Sequence, residues 1–133
     1  MKRTFTKYPS DYVRASFFMN DEVPLARDDE WAMYSPTTFD ACAKLSEGSK
    51  WATGRDERYF NQYANKGPLY IFVNESTGEK FQSHPATGSW FYDENDVNLG
   101  KQALGEFLDE HPKFIKNEFH DLLREYGRNR FKW

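Results

Sequence analysis

Leu69-Tyr70-Ile71-Phe72-Val73, then Asn74-Glu75-Ser76-Thr77-Gly78, then Glu79-Lys80-Phe81-Gln82-Ser83-His84 is the stretch that decides the fold. The first five residues are apolar and β-prone, with Ile71 and Val73 branched at Cβ. The next five are polar and end in glycine, the chemistry of a hairpin turn. The last six alternate, so Lys80, Gln82 and His84 share one face and Phe81 and Ser83 the other. A second turn, Pro85-Ala86-Thr87-Gly88, leads into Ser89-Trp90-Phe91-Tyr92. The spacing predicts a three-stranded antiparallel meander.

Outward from the meander, helices are expected on both sides. Gly67-Pro68 ends a helix over 55–65 that carries Tyr59, Phe60 and Tyr63 on one side. Ser35-Pro36 has the chemistry of a helix start. Phe39, Cys42 and Ala43 then recur at helical spacing, with Gly48 as the stop. Trp31–Tyr34 reads as a short strand. The acidic, Pro24-containing segment 20–30 reads as a loop, 11–19 as a short helix and 1–9 as an edge strand or docked arm. After the meander, Ala103, Leu104, Phe107 and Leu108 fit one helix. Ile115, Phe119, Leu122 and Tyr126 fit a second, broken from the first at His111-Pro112. The fold class is α+β, a three-stranded antiparallel meander flanked by helices, with two C-terminal helices. The 133 residues fit a single domain.

Composition narrows the function class. Aromatic residues make up 18% of the chain, enough to build a core although only 38% is hydrophobic. The net charge of −3 excludes a polyanion binder by bulk charge, but the charge is uneven. Asp21, Glu22, Asp28, Asp29, Glu30 and Asp40 cluster early against Arg27 alone; Arg124, Arg128, Arg130 and Lys132 cluster at the end against Glu125. Cys42 is the single cysteine, which rules out an internal disulfide and a cysteine metal cage and suits a reducing cytoplasm. No apolar run is long enough to span a membrane, and no signal-peptide core opens the chain.

Three surfaces are candidates for function. The first joins Trp51, Thr53, Tyr63, Gln82, His84 and Asp93. If Thr53 and Tyr63 reach over the polar stripe of the meander, they wall a small ligand pocket with an aromatic floor, and Asp93 or Asp96 can orient His84 as a general base. The alternative is a polar stripe that faces solvent, as in any half-buried sheet. The second is the acidic set Asp28, Asp29 and Glu30, suited to a basic groove on a partner. The third is the tail, where Arg124, Arg128, Arg130, Lys132 and Trp133 interleave cations with rings in a pattern that suits single-stranded nucleic acid. The same residues also suit a helix end folded back on the core. His111 reads as a turn residue before Pro112. The Asp93–Asp96 run lacks the glycine and glutamate offsets of a calcium loop and reads as the cap of a helix near Asn98. Metal-ligand spacing, a Walker loop and a dinucleotide fingerprint are all missing, so no metal and no cofactor are expected.

Trp51-Ala52-Thr53, Tyr63, Gly67-Pro68-Leu69-Tyr70, Lys80-Phe81-Gln82-Ser83-His84 and Phe91-Tyr92-Asp93-Glu94-Asn95-Asp96 together resemble a pattern in small accessory proteins of tailed bacteriophages. The match covers about a third of the chain. Ala52 stands where those proteins often have cysteine, and Tyr92 where they often have methionine; chemistry at that cysteine would be lost here. The resemblance implies a phage accessory protein in the bacterial cytoplasm and supplies no activity. The expectation is a non-enzymatic protein that binds and modulates a host factor, in counter-defence for example. A small enzyme or nucleotide-sequestering pocket around His84 is the alternative, and nucleic-acid binding through the tail is the second.

Overall fold

The computed structural model describes residues 24–114. The expected arm at 1–9, the helix at 11–19, the second C-terminal helix and the basic tail lie outside them.

The sheet has five antiparallel strands in sequence order, where three were expected. They are β1 (Ala26–Arg27), β2 (Trp31–Tyr34), β3 (Tyr70–Asn74), β4 (Lys80–His84) and β5 (Ser89–Tyr92). The meander of β3, β4 and β5 is present as read. β2 adds to its flank by pairing Ala32 with Val73 and Met33 with Phe72. β1 is the two-residue strand that the acidic loop conceals, pairing Ala26 with Met33. Asp28 makes the β1–β2 turn: its Oδ1 accepts from the main-chain N–H of Glu30 at 3.0 Å and of Trp31 at 2.8 Å. Such side-chain capping is why aspartate favours tight turns.

Three helices longer than one turn pack on this sheet among the described residues: α1 (Phe39–Leu45), α2 (Glu57–Lys66) and α3 (Lys101–Glu110). α1 starts later than Ser35-Pro36 implies, because Thr38 is the residue that caps it, accepting from Ala41 N–H at 3.2 Å. Asp56 caps α2 in the same way through Arg58 N–H. Gly100 precedes α3 and offers no side-chain cap; Asp93 instead holds its own turn by accepting from Asn95 and Val97 N–H.

Both faces of the sheet are covered, so β3 is buried along its whole length. On one face Ala32, Tyr34, Ile71 and Val73 pack against Cys42, Leu45, Trp51 and Phe60 from the α1–α2 layer. On the other, Trp31, Met33, Tyr70, Phe72 and Phe91 pack against Leu104, Leu108 and Phe114. Rings dominate this second core. Phe81 stacks on Phe91 with centroids 4.5 Å apart, and Phe107 meets the edges of Trp31 and Phe72 at 5.0 Å. Each such pair adds about 0.5–1.5 kcal/mol beyond the area it buries.

Candidate functional site

The polar stripe of β4 does not face solvent, and Gln82 and His84 line no open pocket among the described residues. α1, α2 and the 3-10 turn Ala52–Gly54 between them lie over it, and Lys80, Gln82 and His84 are all buried. Burial of polar groups is costly unless each finds a partner. Here each does, and the partners come from the covering layer and from the β4–β5 turn.

Thr53 Oγ1 donates to Gln82 Oε1 at 2.6 Å. Lys80 Nζ donates to the main-chain oxygen of Glu47, just past the end of α1, where the helix dipole favours a cation. His84 Nε2 lies 2.7 Å from the carbonyl oxygen of Tyr63 and 3.0 Å from that of Gly67, both at the C-terminal end of α2. Carbonyls only accept, so Nε2 carries the proton. Nδ1 then accepts from Thr87 Oγ1 at 2.7 Å. The Tyr63 ring covers the imidazole at 4.8 Å. Gly67 allows this approach because a Cβ there would sit 2.6 Å from Ala86 Cβ.

The six residues of the first candidate surface thus come together as three pairs rather than one site. Thr53 bonds Gln82, and Tyr63 bonds and covers His84. The Trp51 indole N–H donates to the main-chain oxygen of Asp93 at 2.7 Å. The His84–Asp93 and His84–Asp96 pairings are not formed. β4 runs from Lys80 to His84, and β5 returns antiparallel with Ser89 beside His84, so Asp93 emerges at the far end of the sheet. His84 is 1% exposed. Burial holds its imidazolium form below the ordinary range; the two carbonyls oppose that shift and the Lys66 charge assists it. With its one lone pair taken by Thr87, His84 has no free base function in this state. Cys42 is fully buried, its thiol 3.4 Å from the main-chain oxygen of Thr53.

The second candidate surface divides. Asp28 is not a free surface carboxylate. Its Oδ1 holds the β1–β2 turn, and its Oδ2 lies 2.6 Å from His111 Nδ1 beyond the end of α3. Burial raises the Asp28 pKa, but the bonds from Trp31, His111 and Glu30 outweigh it, and the carboxyl stays below its usual range. Asp29 and Glu30 are exposed. The pairing that local sequence could not show is Asp28–His111, because its members lie 83 residues apart.

Antiparallel order brings other carboxylates to the same end of the sheet. Trp31 pairs with Asn74, so the β1–β2 and β3–β4 turns are neighbours, joined by Glu75 N–H to the Glu30 carbonyl at 2.7 Å and by an Arg27–Glu75 ion pair at 2.9 Å. Lys50 N–H donates to the Glu94 carbonyl at 2.8 Å, adding the loops after α1 and β5. Between these segments lies a polar groove of about 410 Å³ lined by Gly48, Glu79, Lys80, Phe81, Asp93, Glu94 and Asn95. Asp29, Glu30, Glu47, Glu75, Glu79, Asp93, Glu94 and Asp96 therefore lie at one end of the sheet, where they outnumber the cations Arg27, Lys50 and Lys80. The opposite end, with a cleft of about 440 Å³ lined by residues such as Pro36, Ala64, Gly67 and Pro68, has Lys66 as its charged lining residue.

No described group of three or more histidine, cysteine, aspartate or glutamate side chains is placed to hold a metal ion, and no described helix is long and apolar enough to cross a membrane. Arg124, Arg128, Arg130, Lys132 and Trp133 lie outside the described residues. Comparison with protein-family models, curated proteins and solved structures gives no match, so the functional reading rests on the geometry above.

Proposed function

We propose that this protein is a non-enzymatic accessory protein of a tailed bacteriophage or mobile element, and that it binds and modulates a basic host protein through the acidic end of its sheet. One observation carries the reading: turns and loops from four separate parts of the chain converge their carboxylates on one end. Charge gathered on one pole orients an approaching partner of opposite sign and speeds its docking. The internal engagement of Thr53, Gln82 and His84 supports the same reading, since the groups best suited to chemistry are spent on holding the α1–α2 layer to the sheet.

The test is affinity capture from nuclease-treated bacterial lysate by the intact protein and by the Asp29→Lys/Glu30→Lys variant. A stoichiometric host protein held by the first and released by the second supports the reading. A partner held equally by both, or one that disappears with nuclease, contradicts it; the latter outcome favours the basic tail.

A further inference from the structure

The second edge of the sheet carries a strand-pairing position that no described residue uses. After β5 the chain turns through Asp93–Asp96, with Asp96 in the left-handed region at φ 67°, and runs back along β5. Leu99 N–H donates to the Phe91 carbonyl at 2.7 Å, and Asp93 N–H to the Val97 carbonyl at 3.1 Å. These two bonds enclose Tyr92 and Asn98 as a pair that does not bond to each other. In such a pair the main-chain N–H and C=O point away from the partner strand. For Tyr92 that direction is toward β4, where it pairs with Gln82. For Asn98 it is outward, and among the described residues no group bonds its main-chain N–H or C=O.

The flanking side chains are apolar and open. Val97 is 50% exposed and Leu99 40%, two of the few large aliphatic groups left on the described surface. Folds usually protect such an edge with lysine, proline or a bulge. Neither lysine nor proline lies at 97–99, and the nearest lysine, Lys101, sits over the Trp90 ring at 4.3 Å. The adjoining loop supplies Asp93, Glu94 and Asp96.

The geometry points to residues 97–99 as an edge that takes up an extended, lysine- or arginine-bearing segment of a partner protein by strand addition. The partner backbone would bond Asn98 N–H and C=O, its alternate aliphatic side chains would lie beside Val97 and Leu99, and its cations would meet the Asp93–Asp96 loop. Strand addition of this kind draws affinity from main-chain bonds and specificity from alternate side chains. A second copy of this chain fits less well, because it would bring two acidic loops to one seam. Asp96 supports the choice of a cationic segment: partial desolvation and the neighbouring Asp93 charge raise its carboxyl above the usual range, and a nearby cation would offset that rise. The basic character of the segment rests on the partner-binding reading above; the edge itself does not.

The experiment is an amide NMR titration of the full-length protein with a capped pentapeptide of alternating lysine and valine. Two control peptides carry N-methyl groups along one edge or glutamate in place of lysine. Saturable shifts at Val97, Asn98 and Leu99 with slowed exchange of the Asn98 amide are expected, and both controls should bind about tenfold more weakly or worse. Asn98→Pro, which removes the outward donor and also the side-chain oxygen that accepts from Gly100 N–H at 3.0 Å, should lose the peptide with only a small fall in melting temperature. Leu99→Glu should weaken binding in the same assay, which keeps the test open if the proline variant unfolds. Shifts confined to Asp29, Glu30 and Glu79 would overturn the edge while leaving the acidic docking surface standing. Equal binding of the N-methylated peptide, or no shift with any peptide, would also overturn it. Concentration-dependent shifts at Asn98 without peptide would replace the partner segment by a second copy.

Discussion

His111 Nδ1 stands 2.6 Å from Asp28 Oδ2 and ties the far end of α3 to the first turn of the sheet. Phe107, Phe114 and Trp31 surround the imidazole, with ring centroids 4.4, 5.7 and 6.0 Å away. The contact closes the second core at its margin. One carboxylate thus serves two structural tasks, capping the β1–β2 turn and anchoring the helix that covers the aromatic face.

Asp28→Ala should therefore destabilise the protein although the residue sits in an acidic, outward-looking turn. It strands the N–H groups of Glu30 and Trp31 and the His111 donor. A loss of about 1–3 kcal/mol in urea unfolding at neutral pH is expected. The native carboxyl is held below its unfolded value, so its contribution is complete above the ordinary aspartate range. It is lost as pH falls through the depressed native value. The variant should show a shallower acid limb than the wild type.

His84 should titrate with the same sign as Asp28 but in a higher pH window. Its folded pKa lies below that of the unfolded chain, so the unfolded state binds the extra proton first. The stability it provides is complete above the unfolded value of about 6.5 and declines as pH falls below it. His84→Ala should remove that decline and cost about 2–4 kcal/mol at pH 7.5, from the cavity and the lost bonds to α2. Nitrogen NMR of the wild type should show the neutral Nε2–H tautomer.

Thr53→Val keeps shape and deletes the proton donated to Gln82. The buried Gln82 oxygen then loses that donor, at a cost of about 1–3 kcal/mol in thermal or urea unfolding. Combined with Gln82→Met, the double variant should lose less than the sum of the singles. Strict additivity would show that the two groups do not interact.

Gly54 packs where α1 ends. A Cβ at this position would lie 2.3 Å from Ser46 Cβ, both on short, rigid elements. Gly54→Ala should cost about 1–3 kcal/mol through overpacking, read as a lowered unfolding midpoint.

The alternation of β4 and the turn chemistry around it made the meander readable, and Ser89–Tyr92 fell where expected. Trp31–Tyr34 was also recognisable as a strand, but not its place beside β3, since the paired residues lie 37–43 positions apart across intervening helix and turn. β1 was concealed because two residues carry no period. Alternation gave the right faces for Lys80, Gln82 and His84 and the wrong surroundings. A polar stripe ordinarily marks a solvated face, and here three internal partners made its burial tolerable. His111 offered no local signal beyond Pro112. Only the closing of the sheet brings Asp28 to it, which turned one proposed docking residue into a structural one.

Exposed carboxylates at one end of the sheet are proposed to steer a basic partner. The most direct measurement of that steering is the association rate of the captured host protein with wild type and with Asp29→Lys/Glu30→Lys, across a salt series. The variant is expected to keep its melting temperature, associate about tenfold more slowly at low salt and lose most of its salt dependence. An unchanged rate and an unchanged salt slope would place the docking surface elsewhere on the molecule.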